Sequence, residues 1–157
     1  MENYSISFVI DGEVVPWKRP RFNGKTKHVF EDSKVTEYKE KVAQAYKKSG
    51  GRYFDVDTPL RCEVYIFTEV PKSSSHKKKL SLIRYFRPTK RPDNDNLYKG
   101  ITDALNKVAY HDDSQIVDTG IHKFWSNTPR AEVTITDISE NLEVPDISED
   151  LEGIERR

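Results

Sequence analysis

The fold of this chain depends most on residues 91–116, which read RPDNDNLYKGITDALNKVAYHDDSQI. Two acidic pairs, Asp93/Asp95 and Asp112/Asp113, flank a segment whose apolar residues recur at helical spacing. Those apolar residues are Leu97, Ile101, Ala104, Leu105 and Val108. The pattern predicts an amphipathic helix over about residues 95–107 with one buried face. Because such a helix is short, we expect its two acidic ends to lie close enough to form one site.

Converging carboxylates repel one another, and some would protonate unless a cation lay between them. Oxygen ligands favour a hard divalent ion, and proteins commonly hold Mg²⁺ with a few carboxylates, water and substrate phosphate oxygens. Such a centre polarises a phosphodiester and generates hydroxide. Lys99 shares one helix face with Asp95 and Asp103, so we expect its ammonium group to lie beside the site.

A structural interpretation of the same four aspartates is also open, because Asp is favoured at helix N-termini and in turns. Spacing alone does not separate it from a metal site. A calcium-binding EF-hand loop starting at Asp93 fails, since its sixth residue is Tyr98 rather than Gly and its twelfth is Ala104 rather than Glu. No Walker sequence, G-x-S-x-G motif or Cys/His zinc spacing occurs.

The composition fits a single domain of 157 residues that is 35% hydrophobic, with aromatic residues to fill a modest core. No apolar run approaches eighteen residues, and the N-terminus lacks a signal-peptide pattern. We therefore expect a cytoplasmic protein with no membrane partner. The one cysteine, Cys62, excludes an internal disulfide and a cysteine-based zinc site. Its place in an alternating segment predicts a buried, unreactive thiol.

Charge is distributed unevenly along a chain whose net formal charge is zero. Seven acids and two arginines in residues 139–157 leave residues 1–138 with a net charge of +5. A basic body predicts a polyanionic partner. We predict a domain over residues 1–138 and a disordered acidic tail over 139–157. The tail is expected either to compete with DNA or to bind a protein partner through its apolar residues, Leu142, Val144, Ile147 and Leu151.

Two basic segments precede the acidic stretch. Residues 14–30 interleave five basic side chains with Trp17 and Phe22, a composition that neutralises phosphates and stacks on bases but is also typical of a solvated loop. Residues 71–92 hold eight basic residues and no acid, and they lead directly into Asp93. The candidate DNA-binding residues are Lys18, Arg19, Arg21, Lys25, Lys27, Lys90 and Arg91.

Periodicity and turn residues predict the remaining elements. They are strands over residues 4–10, 60–70, 116–125 and 130–138, a helix over 33–49 capped by Ser33, and a short helix from about 73 to 85. The last two strands are joined by four residues ending at Pro129, which predicts a hairpin.

Three motifs together resemble the RusA family of Holliday junction resolvases, in its phage and prophage branch. They are PWKRPRF at residues 16–22, RPTKRPDNDNLYK at 87–99 followed by DAL at 103–105, and DDSQIVD at 112–118. The resemblance spans most of residues 4–138. It implies a homodimeric, Mg²⁺-dependent endonuclease, with Mn²⁺ as a substitute ion, that binds four-way or branched DNA and resolves junctions by paired symmetric nicks in recombination and repair.

Within this resemblance, Asp93, Asp95 and Asp113 are implied to be metal-binding catalytic carboxylates and Lys99 the catalytic lysine. Asp112 is implied to support the site or the fold. We expect an α/β fold of the α+β type, with two layers, a mixed sheet of about five strands and two main helices. Two other functions remain open: a branched-DNA binding module that does not cut, and a broader nuclease for flaps and forks.

Overall fold

The computed structural model describes residues 3–140 and 144–155, and it has the α+β architecture that the sequence predicts. The strands are β1 (Ser5–Asp11), β2 (Arg21–Asn23), β3 (His28–Phe30), β4 (Leu60–Glu69), β5 (Ile116–Ser126) and β6 (Arg130–Asp137). The helices are α1 (Ser33–Lys48), α2 (His76–Tyr85), α3 (Asn94–Thr102) and α4 (Ser148–Glu155). Two 3-10 turns lie at Asp103–Leu105 and Asp113–Gln115.

The main sheet is mixed and has four strands in the order β1-β6-β4-β5, while β2 and β3 form a separate hairpin. β6 is antiparallel to both β1 and β4, and β5 is parallel to β4. The predicted hairpin between β5 and β6 is therefore wrong, because β4 lies between them. In the central position β4 pairs its backbone N–H and C=O groups on both edges, and its inward side chains are at most 1% exposed.

The core lies between one face of this sheet and the helices α1 and α3. Alternate residues of the strands point inward, and helix residues three or four apart meet them, as the two periodicities require. The inward residues include Ile6, Phe8, Ile10, Cys62, Val64, Val133, Ile135, Val42, Tyr46, Leu97 and Ile101. Cys62 is buried as predicted, and burial raises the pKa of its thiol to about 12.

The helix boundaries differ from the predicted ones at two places. α1 is capped by Asp32 rather than Ser33, because the Asp32 carboxylate accepts a hydrogen bond from the Lys34 N–H at 2.9 Å. α3 ends at Thr102 instead of residue 107. The buried Tyr110 hydroxyl donates to the Thr102 carbonyl at 2.6 Å, and Lys107 has a positive φ of 64°. A 3-10 turn replaces the predicted last turn of helix.

The described part of the acidic tail is exposed throughout residues 144–155. Helix α4 begins where the Asp146 carboxylate accepts from the Ser148 N–H at 3.0 Å, whereas the sequence predicts disorder there. Val144, Ile147 and Leu151 are exposed, and Leu142 lies outside the described residues. The domain boundary after residue 138 and a protein partner for the tail stay predictions. Among the helices of residues 3–140 and 144–155, none is long and apolar enough to cross a membrane.

Candidate active site

Helix α3 presents Asp93 and Asp95 at its N-terminal end. Asp93 is the N-cap residue by backbone geometry, yet its side chain makes no capping hydrogen bond. Asp95 lies in the first turn, and both residues are exposed. Within the part of the chain that the structure describes, neither carboxylate has a hydrogen-bond or ion-pair partner. The helix N-terminus favours their negative charge, and both side chains are available to a ligand.

Lys99 follows Asp95 by one helical turn and contacts an aromatic ring. Its Nζ lies 3.9 Å from the centroid of the Trp17 ring. The Trp17 N–H donates to the Asn96 carbonyl at 2.9 Å, which ties the segment before β2 to α3. The sequence leaves two roles open for the aromatic residues of this segment, stacking on nucleic acid or a place in a solvated loop. The structure places the Trp17 indole against a side chain of the candidate site.

Asp112 and Asp113 have different surroundings. Asp112 caps the 3-10 turn: its carboxylate accepts from the Ser114 N–H at 3.0 Å, and the Gln115 side chain accepts from the Asp112 N–H at 3.2 Å. Hydrogen bonds from Ser114 lower the pKa of Asp112. This capping box satisfies the hydrogen-bonding groups of Asp112 within the protein, and its role in the site stays a prediction.

Asp113 is a half-buried carboxylate in an unfavourable environment. Burial raises its pKa, the nearby charges of Asp112 and Asp103 raise it further, and the Lys99 ammonium opposes them. The electrostatic interaction with Lys99 brings the last turn of α3 and the 3-10 turn before β5 into one neighbourhood. A cation placed there would relieve the repulsion at Asp113.

The three predicted ligands only partly fit a metal site as placed. Among residues 3–140 and 144–155, no three His, Cys, Asp or Glu side chains lie close enough together to hold a metal ion. The donor chemistry does suit Mg²⁺, since Asp93, Asp95 and Asp113 offer only oxygen, and none of the three contacts a cationic side chain directly within the described ranges. The ligand set therefore stays a prediction, with Lys99 beside it.

Lys123 is a residue of this site that the sequence analysis misses. From β5 its Nζ donates to the carbonyls of Lys90 and Pro92, both at 2.9 Å, and so fixes the segment entering Asp93. The Arg87 Nε donates to the Lys123 carbonyl at 2.7 Å. A lone lysine in a strand carries no sequence signal for such a role. Arg87, Lys90 and Lys123 line a polar cavity of about 390 Å³ beside Asp93.

The predicted DNA-binding residues are all exposed and fall in two places. One group lies in and around the β2–β3 hairpin, which joins α3 through Trp17, and Lys18 in this group also pairs with Asp32 at 3.4 Å. The other group is Lys90 and Arg91, which directly precede Asp93. Lys90 lines the same cavity as Asp93, and the contact of both groups with DNA stays a prediction.

We expect Asp113→Asn to stabilise the folded protein at pH 7 in EDTA. Since the folded pKa of Asp113 is raised, the folded state holds this proton more tightly than the unfolded chain, and stability falls as pH rises from about 3.9 through the folded value. The amide removes that penalty. The urea midpoint of the variant should therefore exceed that of the wild type at pH 7, and the two should converge in acid.

Adding Mg²⁺ should stabilise the wild type and have little effect on Asp113→Asn, because a cation that binds only the folded state stabilises it by mass action. Asp118→Asn is the matched control, since the Asp118 carboxylate already accepts from Arg61 Nε at 2.8 Å. An equal Mg²⁺ gain in Asp113→Asn would contradict the ligand role.

Comparison with known proteins relates the chain to nucleases. The family model described as "Endodeoxyribonuclease RusA" matches residues 11–136. The protein YqaN of Bacillus subtilis strain 168, described as uncharacterized, is 38% identical over 140 residues, which cover 85% of this chain and 97% of the relative. The crossover junction endodeoxyribonuclease rusA of Lactococcus phage r1t is 31% identical over 116 residues, covering 73% of this chain and 82% of that protein.

Proposed function

Because the chain belongs to the RusA endodeoxyribonuclease family, we propose that it resolves Holliday junctions by paired symmetric nicks during DNA recombination and repair. The observation that carries the proposal is the family match over residues 11–136, a span that includes Asp93, Asp95, Lys99 and Asp113. The name of the phage relative, a crossover junction endodeoxyribonuclease, supports four-way DNA as the substrate.

Asp93, Asp95 and Asp113 are the proposed ligands of Mg²⁺, or of Mn²⁺ in its place. A divalent cation held there would polarise the phosphodiester and would make water a stronger nucleophile. Two of these carboxylates lack a protein partner among the described residues, and the third carries a raised pKa, so each gains from binding a cation. The protein's own contribution is to hold these groups on α3 and on the turn before β5.

Lys99 is the proposed cationic residue of the reaction. Its ammonium group lies within electrostatic reach of Asp113 and one turn from Asp95. A fixed positive charge there stabilises the negative charge that develops on the phosphate oxygens in the transition state. A lysine in this position also attracts the substrate phosphate before reaction.

Two nicks placed symmetrically on one junction require two centres, and a homodimer with two-fold symmetry supplies them. The basic residues of the β2–β3 hairpin and of residues 87–91 would neutralise phosphates of the arms. The polar cavity beside Asp93 has the volume and the basic lining to accept a phosphate next to the one that is cut.

The salt dependence of junction binding tests the role of the hairpin. In an Asp93→Asn background, Lys25→Ala/Lys27→Ala should reduce the slope of log K against log salt by about 1.8 if each lysine contacts one phosphate. Binding to a labelled junction between about 50 and 200 mM NaCl measures this slope. The matched control is Lys47→Ala/Lys48→Ala at the end of α1, which removes the same charge. Equal slopes for the two double variants would exclude the hairpin from the DNA interface.

The decisive experiment uses four labelled DNAs of shared sequence: a four-way junction, a flap, a fork and a duplex. We expect paired nicks in the junction with Mg²⁺, and binding without nicking in Ca²⁺. A protein that binds the junction and nicks nothing in Mg²⁺ or Mn²⁺ is a binding module. Faster cutting of flaps or forks than of junctions would identify a broader nuclease.

A further inference from the structure

We propose that Trp17 is a positioning residue that holds the ammonium group of Lys99 next to the acidic site without engaging a carboxylate. The proposal rests on the proposed function in that Lys99 takes part in DNA cleavage. In the sequence Trp17 is only one member of a basic and aromatic segment, and the proposed reaction does not use it.

The backbone around Trp17 is fixed against α3 at two points. The Trp17 N–H donates to the Asn96 carbonyl at 2.9 Å. One turn later, Gly100 lets the two backbones touch, since a Cβ added there would lie 2.5 Å from the Val15 carbonyl oxygen and 3.3 Å from the Trp17 nitrogen. Only glycine permits this approach. The indole is thus placed by backbone contacts that do not depend on its own side chain.

The indole holds a flexible cation. Lys99 Nζ lies 3.9 Å from the ring centroid, and among the described residues Lys99 is the one lysine in such a contact, since the others involve arginine. The face of an indole attracts an ammonium group more strongly than any other aromatic face. Lysine has four rotatable side-chain bonds, so a single preferred position must be imposed by its surroundings.

The identity of the contact matters because Asp95 lies at the i−4 position relative to Lys99. An acidic residue four positions before a lysine is the arrangement that favours an ion pair along a helix. Such a pair would occupy the carboxylate that a cation needs. In the described residues no carboxylate lies within ion-pair distance of Lys99, and the neutral indole is its contact instead. Trp17 therefore holds the lysine near the site while the Lys99 ammonium group and the Asp95 carboxylate both remain available.

A competing role for Trp17 is to stack on a DNA base. The structure argues against it, because Trp17 is half-buried and its ring faces Lys99. Phe22, in the same segment, is 65% exposed and is more accessible to DNA than Trp17. Phe22→Leu is therefore the matched control for a stacking role.

The test measures single-turnover cleavage and, separately, binding in Ca²⁺, for Trp17→Leu and Trp17→Phe with and without Lys99→Gln. We expect Trp17→Leu to lower the cleavage rate about 10-fold and Trp17→Phe to retain most of it, because Phe keeps an aromatic face. DNA affinity should stay within about two-fold of wild type, whereas Phe22→Leu should weaken it. In the Lys99→Gln background, Trp17→Leu should cause no further loss, since the two residues act as a unit.

The proposal is overturned if Trp17→Leu lowers the rate by the same factor with and without Lys99→Gln, or if its main effect is on binding. Thermal unfolding of each variant identifies a folding defect. If Trp17→Leu has one, the test relies on Trp17→Phe and Gly100→Ala. The added Cβ in Gly100→Ala should move the indole away from Lys99, so this variant should lower the rate as Trp17→Leu does. NMR gives a readout without DNA, because ring current should shift the Lys99 Hε protons upfield in wild type and not in Trp17→Leu. Rates are measured on whichever DNA the wild type cuts, so a failure on junctions contradicts the proposed function alone.

Discussion

Asp93→Asn is expected to lower Mg²⁺-supported junction cleavage by at least about 100-fold, because even residues that only support a metal ligand cost 10–100-fold when lost. The substitution keeps the shape of the side chain, and Asn is as good an N-cap as Asp. Asp93 makes no capping hydrogen bond that the change would break. Loss of cleavage would therefore reflect the missing negative charge at the site. Single-turnover nicking of a labelled junction measures it, alongside junction binding in Ca²⁺.

The control for this experiment is Asp118→Asn on β5. Its carboxylate accepts from Arg61 at 2.8 Å and both side chains are largely exposed, so the change should cost less than about 1 kcal/mol of stability and leave the rate near wild type. A lost ligand also weakens cation affinity, so raising Mg²⁺ should recover part of the Asp93→Asn activity. Cleavage near the wild-type rate in Asp93→Asn at low Mg²⁺ would remove Asp93 from the site.

Ile101→Ala should lower the free energy of unfolding by about 2–5 kcal/mol. Ile101 is fully buried where α3 packs on the sheet, and truncation leaves a cavity that the surrounding side chains fill only in part. Alanine has a higher helix propensity than isoleucine, which offsets about a few tenths of a kcal/mol of this loss. The measured loss is therefore due to packing and not to helix propensity. Urea denaturation followed by circular dichroism gives the value.

Val117→Ala is the matched substitution at the surface, since Val117 is 60% exposed on β5. It should change the free energy of unfolding by no more than about 0.5 kcal/mol. Because α3 carries both Asp95 and Lys99, a small shift of the helix in Ile101→Ala should also slow cleavage by the folded protein. A loss of less than about 1 kcal/mol would mean that α3 does not pack on the sheet through this residue.

Much of the fold is predictable where one periodicity dominates. The alternation in β1 and β4 and the helical spacing in α1 locate these elements to within a residue or two, because one buried face fixes the pattern. Pairing is not local. The four residues before Arg130 look like a hairpin loop, and nothing nearby in sequence indicates that β4, more than fifty residues earlier, lies between β5 and β6. The exposed β2–β3 hairpin has no buried face to produce a pattern.

The candidate site is predictable in its residues more than in its contacts. Asp93, Asp95 and Lys99 are placed by a helix whose apolar stripe is visible in the sequence. The division between Asp112 and Asp113 depends on a capping box involving Gln115, which two adjacent aspartates do not reveal. Trp17 meets Lys99 across a separation of more than eighty residues, through a backbone contact allowed by Gly100. Long-range contacts of this kind have no signature in one sequence.

The pairing of β1 with β6 has a consequence for how the protein is made. β1 is the first strand of the sheet and β6 the last, and β6 alone connects β1 to the rest of the sheet. While the ribosome synthesises the chain, β1 has no strand partner until residues 130–136 emerge. Sheet closure is therefore among the latest events, and contacts of such wide sequence separation slow folding. A translation product that stops before β6 leaves β1 without its strand partner, so it should be a substrate for chaperones and proteases rather than a nuclease.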